Sequence, residues 1–360
     1  MFSLGITDHL EGPADRPSVE IYREVEELVL LADSLGVEYF WFAEHHAHAH
    51  EGHLPTPLLF ALHLAGKTRQ IRLGSAIVCL NLHHPLAVAE QAAVADWLTG
   101  GRLAPGFGSG STPEEFELFG LKETQETERH VRFAESLRII REAWKGEVRP
   151  QSLEYFNVPA HVPLPVARTD LAARSWLAVN SAGSARIAGE MGLGMLFSHL
   201  RTVQQYREYV EAYRAAGGQN QIAVNRPVYV GEDDDSAWAE AAGAVRTLWR
   251  RFREEGKIPS QTPEPSSISE LCGHPLNFIV GGPESVARQL IELHAQVPFD
   301  VANLEVRWEG LSHRIVLESL RRLTTVRALR EQVVKLDEHG QRHEPDDQQE
   351  HHELRRSDGR

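Results

Sequence analysis

Eight short apolar runs recur along the chain, and most are followed by a stretch with helical periodicity. They cover 2–6, 39–42, 71–80, 102–107, 176–179, 193–197, 222–230 and 300–306. Helices are expected at 18–35, closed by Gly36, and at 57–67, where Leu58, Ala61, Leu62 and Ala65 share a face. Others are expected at 85–98, ended by Gly100-Gly101, and at 127–144. Strands that alternate with helices build a parallel sheet, and eight such units fit a closed (β/α)8 TIM barrel. A doubly wound open sheet is the structural alternative. Residues 1–335 form the barrel on this reading. The Pro- and Ser-rich segment 254–276 is read as an inserted lid or substrate loop. The polar tail 336–360 is too poor in apolar residues to pack and is expected to be disordered.

The second run carries the most chemistry. Tyr39-Phe40-Trp41-Phe42 is apolar throughout, as a strand covered on both faces must be. It stops abruptly at Glu44-His45-His46. The C-terminal ends of barrel strands are where active sites are assembled. Imidazoles placed there exchange protons near neutral pH, so His45 and then His46 are the candidate catalytic residues.

Charge and composition remove several classes. A formal net charge of -14 disfavours a nucleic-acid-binding surface. Two cysteines, Cys79 and Cys272, imply no disulfide framework. No signal-peptide pattern opens the chain, and no apolar run is long enough to span a bilayer. The expectation is a cytoplasmic protein with neither a membrane nor a nucleic-acid partner.

Other candidates carry two readings each. Asn180-Ser181-Ala182-Gly183-Ser184 joins a strand to a helix through small residues. It is an anion site at a helix N-terminus or an ordinary N-cap. Gly106, Gly108 and Gly110 permit close backbone approach but lack the context of a dinucleotide fold. His45, His46, His48, His50 and His53 crowd one loop, yet no Cys, Asp or further His motif closes a coordination set. No metal is therefore assigned. His84-Pro85 is a substrate contact on the barrel rim or simply the entry to a helix. Glu90 lies among small apolar helix residues, where a carboxylate is paired or catalytic. Trp308 stacks on a ligand at the rim or packs in the core.

A resemblance then emerges from an ordered series of motifs. They are WFAEHH at 41–46, Thr68-x-x-Ile71-Arg72-Leu73-Gly74-Ser75-Ala76, His84-Pro85-Leu86-x-x-Ala89-Glu90-Gln91 and Asp96-x-x-Thr99-x-Gly101-Arg102. Phe107-Gly108-x-Gly110, Glu115-Phe116-x-x-Phe119-Gly120, Asn180 to Ser184 and Phe278 to Val286 continue the series. From Phe2 to about Leu329 the chain resembles the bacterial luciferase-like monooxygenases. That resemblance implies a barrel, usually dimeric, that uses reduced FMN from a separate flavin reductase. It implies oxidation of a small organic substrate by molecular oxygen through a peroxyflavin. It makes His45 the proton-handling residue and Ser181, Ser184 and the amides near Gly183 the flavin phosphate site. It also places a non-proline cis peptide at Ala76–Ile77, beside the flavin ring, and treats Glu90 as buried support. One departure stands out: Ser109 lies where many relatives carry an arginine against the phosphate. The rival functions are a deazaflavin-dependent oxidoreductase and a non-catalytic flavin-binding partner subunit.

Overall fold

The computed structural model describes residues 2–48, 50–110, 112–121, 126–158, 162–163, 165–267, 270, 273 and 276–340. The first half runs β1 (Ser3–Asp8), α1 (Ser18–Ser34), β2 (Tyr39–Phe42), α2 (Pro57–Ala65), β3 (Arg72–Ser75), β4 (Val78–Cys79) and α3 (Pro85–Leu98). Next come β5 (Leu103–Ala104), β6 (Gly106–Gly108), α4 (Pro113–Leu118) and α5 (Glu126–Ala143). Two short antiparallel pairs follow, built from β7 (Glu147–Val148) with β10 (Val162–Pro163) and β8 (Gln151–Ser152) with β9 (Asn157–Val158). The second half is α6 (Leu171–Arg174), β11 (Trp176–Val179), α7 (Ala182–Met191), β12 (Gly194–Phe197), α8 (Val203–Ala215) and β13 (Ile222–Val230). It ends with α9 (Asp234–Glu254), β14 (Ile279–Gly281), α10 (Pro283–Gln296), β15 (Val301–Glu305) and α11 (His313–Gly340).

The sheet is parallel and closes on itself. β1 pairs with β2 on one side and with β15 on the other. β3 pairs with β5, β4 with β6, and β6 with β11. β11 to β12, β12 to β13 and β13 to β15 complete the ring. With β3–β4 and β5–β6 each counted as one interrupted strand, the ring has the eight positions of a (β/α)8 barrel. An open doubly wound sheet is thereby excluded.

Three local readings are corrected. The run 71–80 is two strands separated at the cis Ala76–Ile77 bond, and Leu80–Leu82 turns as a short 3-10 helix. The run 102–107 breaks at Pro105, which has no N–H to give to the ladder. β14 was not anticipated. It pairs with Val228–Val230, the part of β13 that overshoots the barrel.

The barrel interior is filled by alternate residues from different strands. Tyr39 and Trp41 point inward with Ala104, Trp176, Leu196, Ala223 and Val301. Phe40 and Phe42 turn outward into the larger core under the helices. The two indoles meet edge to face with centroids 5.3 Å apart, and Trp41 stacks on Tyr39 at 4.7 Å. Gly5 makes room for Trp41: a Cβ there would sit 2.6 Å from the indole.

The segment read as a lid is fastened where it is described. Ile258 and Leu276 are buried beside Trp249 and Phe252, and Glu264 pairs with Arg250 at 2.8 Å. Residues 268–269, 271–272 and 274–275, including Cys272, lie outside the described residues. The backbone of α11 runs to Gly340, past the expected start of a disordered tail, and 341–360 lie outside the described residues.

Candidate active site

Polar residues gather just past the C-terminal ends of the strands, where chain leaving the sheet must turn. His9 follows β1, Glu44, His45 and His46 follow β2, and Glu305 ends β15. Long-range pairs bind these loops together.

His45 lies between two buried carboxylates. Its Nδ1 is 3.2 Å from Glu115 Oε1 on α4, and its Nε2 is 3.3 Å from Glu51 Oε2. The Glu115 oxygen also accepts the backbone N–H of His46 at 2.9 Å. Burial would raise the Glu115 carboxyl, but contacts to His45 and His46 outweigh it and hold it below the usual range. For Glu51, burial again acts upward, and the charges of His9, His45, Lys257 and Arg251 bring the carboxyl down to about 2. Arg251 reaches from α9 to Glu11 at 2.6 Å and to Glu51 at 3.3 Å.

His46 belongs to a separate group. Its Nε2 lies 3.1 Å from Glu44 Oε1, which also faces His83 Nε2 at 2.8 Å. The hydrogen bond to Glu44 is the largest influence on His46 and raises its pKa.

His9 stacks beside His45, with ring centroids 5.8 Å apart. Its Nε2 faces Glu305 Oε1 at 3.5 Å. Glu305 is also held by Asn225 at 2.8 Å and faces His199 at 3.5 Å. Burial opposes a charge on His9, but Glu305, Glu51 and Glu11 prevail and raise it to about 9. His9, Glu51, Glu115, His199 and Glu305 were not singled out from sequence as site residues. His9 lies just past the first apolar run and Glu305 inside the last one, so each was close to a signal that the sequence reading did use. Glu51 and Glu115 carry no such mark, since only tertiary folding brings them to His45.

The residues expected around a flavin fall on three adjacent strands. Ile77 lies against Gly108, where a Cβ would meet its side chain at 2.7 Å and that of Ala178 at 3.6 Å. Gly108 thus lets the Ile77 side chain pack directly on the β6 backbone, where any larger residue would collide with it. Ala76 packs with Ile77 on the interior cluster of the barrel. The carbonyl of Ser109 accepts from Asn81 at 2.8 Å. At α7, Ser181 and Ser184 form a capping box: Ser181 Oγ accepts the Ser184 amide at 3.1 Å, and Ser184 Oγ accepts the Ser181 amide at 3.2 Å. Ala182 and Gly183 supply first-turn amides that this box does not engage. The carbonyl of Asn180 is held by Tyr209 at 2.9 Å. Small side chains and helix amides at this rim fit the phosphate and ring edge of a flavin.

Three other candidates lie elsewhere. His84 is exposed, caps α3 by accepting the Leu86 amide at 3.3 Å and packs edge-on against Phe156. Trp308 is buried against Phe278 in the cluster around α9. Glu90 is exposed on α3, which corrects the expectation of a buried carboxylate: that helix turns this side away from the core.

Comparison with known proteins supplies the remaining finding. The sequence profile described as luciferase-like monooxygenase matches residues 3–298. The chain is 25% identical over 309 residues to the oxygenase component of a flavin-dependent trigonelline monooxygenase of Acinetobacter baylyi, covering 80% of this chain and 84% of that one. It is 23% identical to an F420-dependent glucose-6-phosphate dehydrogenase of Kineococcus radiotolerans, over 69% of this chain and 75% of that one. The oxygenating constituent of 3,6-diketocamphane monooxygenase of Pseudomonas putida, solved with FMN, superposes with a TM-score of 0.76 at 19% identity. That alignment covers 90% of this chain and 97% of the other and supports the barrel fold.

Proposed function

Since the chain belongs to the luciferase-like monooxygenases, we propose that it uses reduced FMN and molecular oxygen to oxidise a small organic substrate. The observation that carries this reading is the placement of His45 at the same barrel mouth as Ile77, Gly108 and the α7 N-terminus. Ser181, Ser184 and the amides of Ala182 and Gly183 hold the phosphate, with Asn180 and Ser109 beside them. Ala76, Ile77 and Gly108 line the ring. Reduced FMN supplies the electrons that activate oxygen. The apolar interior behind the ring, with Trp41 and Trp176, keeps water from the reacting atoms. His45 gives or takes a proton at Nε2 while Glu115 holds Nδ1. His46 is the second candidate for that role. A separate flavin reductase provides the reduced cofactor, consistent with a relative named as an oxygenase component.

We further assign a homodimer to this function, acting in the cytoplasm. Leu59, Val94, Trp97 and Leu98 are exposed apolar side chains on α2 and α3 that a second copy would cover. Among the described residues, no helix is long and apolar enough to cross a membrane.

The test is to mix the purified protein with photoreduced FMN and air. Binding of reduced FMN and a slower reoxidation are expected, with consumption of an organic substrate. A protein that neither binds FMN nor changes its reoxidation overturns the proposal. The F420-dependent relative motivates a parallel titration with the deazaflavin. Tighter binding of that cofactor than of FMN would assign the chain to the dehydrogenase branch. FMN binding without turnover would identify a silent partner subunit.

A further inference from the structure

The His-rich loop closes no coordination set by itself, but the fold supplies what it lacks. His9, one residue past β1, is brought beside His45 and Glu51. One ring nitrogen from each histidine and one carboxylate oxygen of Glu51 lie within 4.8 Å of one another.

The surroundings of these three residues are those of metal ligands. His45 turns Nε2 toward Glu51 Oε2 at 3.3 Å and has Glu115 behind its Nδ1 at 3.2 Å. His9 has Glu305 behind its Nε2 at 3.5 Å, while its Nδ1 is buried and has no hydrogen-bond partner among the described residues. A carboxylate on the far nitrogen of a ligating imidazole fixes the ring and raises its basicity. Glu51 is itself oriented by Arg251, which takes the other oxygen, Oε1, at 3.3 Å. A neutral imidazole has one donor and one acceptor nitrogen. His45 faces carboxylate oxygen at both, so one contact sets acceptor against acceptor unless a cation or a further proton intervenes.

We propose that His9, His45 and Glu51 form a site for one divalent transition-metal ion. Two imidazole nitrogens and one carboxylate oxygen suit zinc or cobalt better than magnesium or calcium, which prefer oxygen. Three protein donors leave further positions to water or another small ligand. The second histidine–carboxylate group, Glu44 with His46 and His83, needs no ion. Both imidazoles converge on one oxygen, Glu44 Oε1, at 3.1 and 2.8 Å, as donors to a carboxylate do. An ion at the proposed site occupies the Nε2 through which His45 would exchange a proton. Metal occupancy and oxygenation are then alternatives, a point that rests on the proposed function; the site itself does not.

The test uses the full chain, stripped with a chelator, without flavin. Zinc is titrated by calorimetry and cobalt by its visible absorption. One tight ion per chain is expected, with the cobalt bands of a four- or five-coordinate site. His9→Ala and Glu51→Gln should each weaken binding by at least about tenfold, and Glu115→Gln by about tenfold. His63→Ala, which removes an exposed histidine paired with Glu26, should leave it unchanged. Circular dichroism establishes that each variant is folded. No stoichiometric binding, or binding equally tight in His9→Ala and Glu51→Gln, overturns the site. Because flavin is absent, that result leaves the oxygenase reading standing, and failure to bind FMN would leave the metal site standing.

Discussion

Glu115 Oε1 lies 3.2 Å from His45 Nδ1, so helix α4 reaches back to fix the ring that follows β2. The same oxygen holds the His46 amide, so both the ring and its backbone are set by one carboxylate. Glu115→Gln keeps the shape and removes the charge. We expect kcat to fall by at least about tenfold, with FMN affinity unchanged, because an orienting carboxylate acts on the imidazole and not on the cofactor. His45→Ala should cost more, about 10²–10⁴-fold, the usual range for a lost acid–base group. Turnover with photoreduced FMN and fluorescence titration of FMN measure the two effects separately. An unchanged kcat in Glu115→Gln would remove it from the positioning of His45.

The barrel was legible because its strands are buried on both faces and so read as unbroken apolar runs. Tyr39 to Phe42 is the clearest case, with inward and outward residues both apolar. The interruption at Pro105 was signalled by its missing N–H and that at Ala76–Ile77 by the family resemblance, although neither breaks the apolar run around it. In the site, His45 was visible from its position after a strand. Its partners were not, because Glu51 and Glu115 are ordinary loop and helix carboxylates until the chain folds. The capping box at α7 shows the opposite limit. Ser181 and Ser184 match both an anion site and a helix cap, and local hydrogen bonds satisfy the second reading in full.

Trp41 and Gly5 offer a test of interior packing. Gly5→Ala would place a Cβ 2.6 Å from the Trp41 ring, 3.1 Å from Val301 and 3.3 Å from Tyr39. Trp41 has little freedom to move, wedged between Tyr39 and Trp176. Overpacking of this kind costs about 1–3 kcal/mol. Urea unfolding should show a lower midpoint with an unchanged slope. An unchanged midpoint would mean that the interior is looser than these distances require.

Asp33 makes stability depend on pH at the other end of the barrel. Its carboxylate accepts the amides of Arg69, Gln70 and Ile71 at 2.8, 2.9 and 2.8 Å, fixing the turn that enters β3. Burial acts to raise this carboxyl, but the three amides and Arg102 outweigh it and hold it below its ordinary value. A depressed folded pKa stabilises the protein fully above the unfolded value, and the contribution fades as pH falls through the folded one. Asp33→Asn should therefore cost about 1 kcal/mol at neutral pH, a figure kept small because the carboxylate is partly exposed. The gap between variant and parent should close below about pH 4. Denaturation measured across that range checks it, and a gap independent of pH would show that the charge is irrelevant.

Ser181 separates the two meanings of its motif. As an N-cap, its loss costs about 1 kcal/mol of stability and nothing specific in binding. As part of a phosphate seat, its loss weakens FMN while sparing riboflavin, which has the same ring and no phosphate. Ser184→Ala removes the other half of the capping box, whose oxygen accepts the Ser181 amide at 3.2 Å and the Asn180 amide at 3.3 Å. We expect both alanine variants to bind reduced FMN about tenfold more weakly and to bind riboflavin as the parent does, since one charge-assisted hydrogen bond is worth about 1.5–3 kcal/mol. Parallel titrations of the two flavins decide the matter. Equal losses for both would assign these serines to the helix alone and move the phosphate elsewhere.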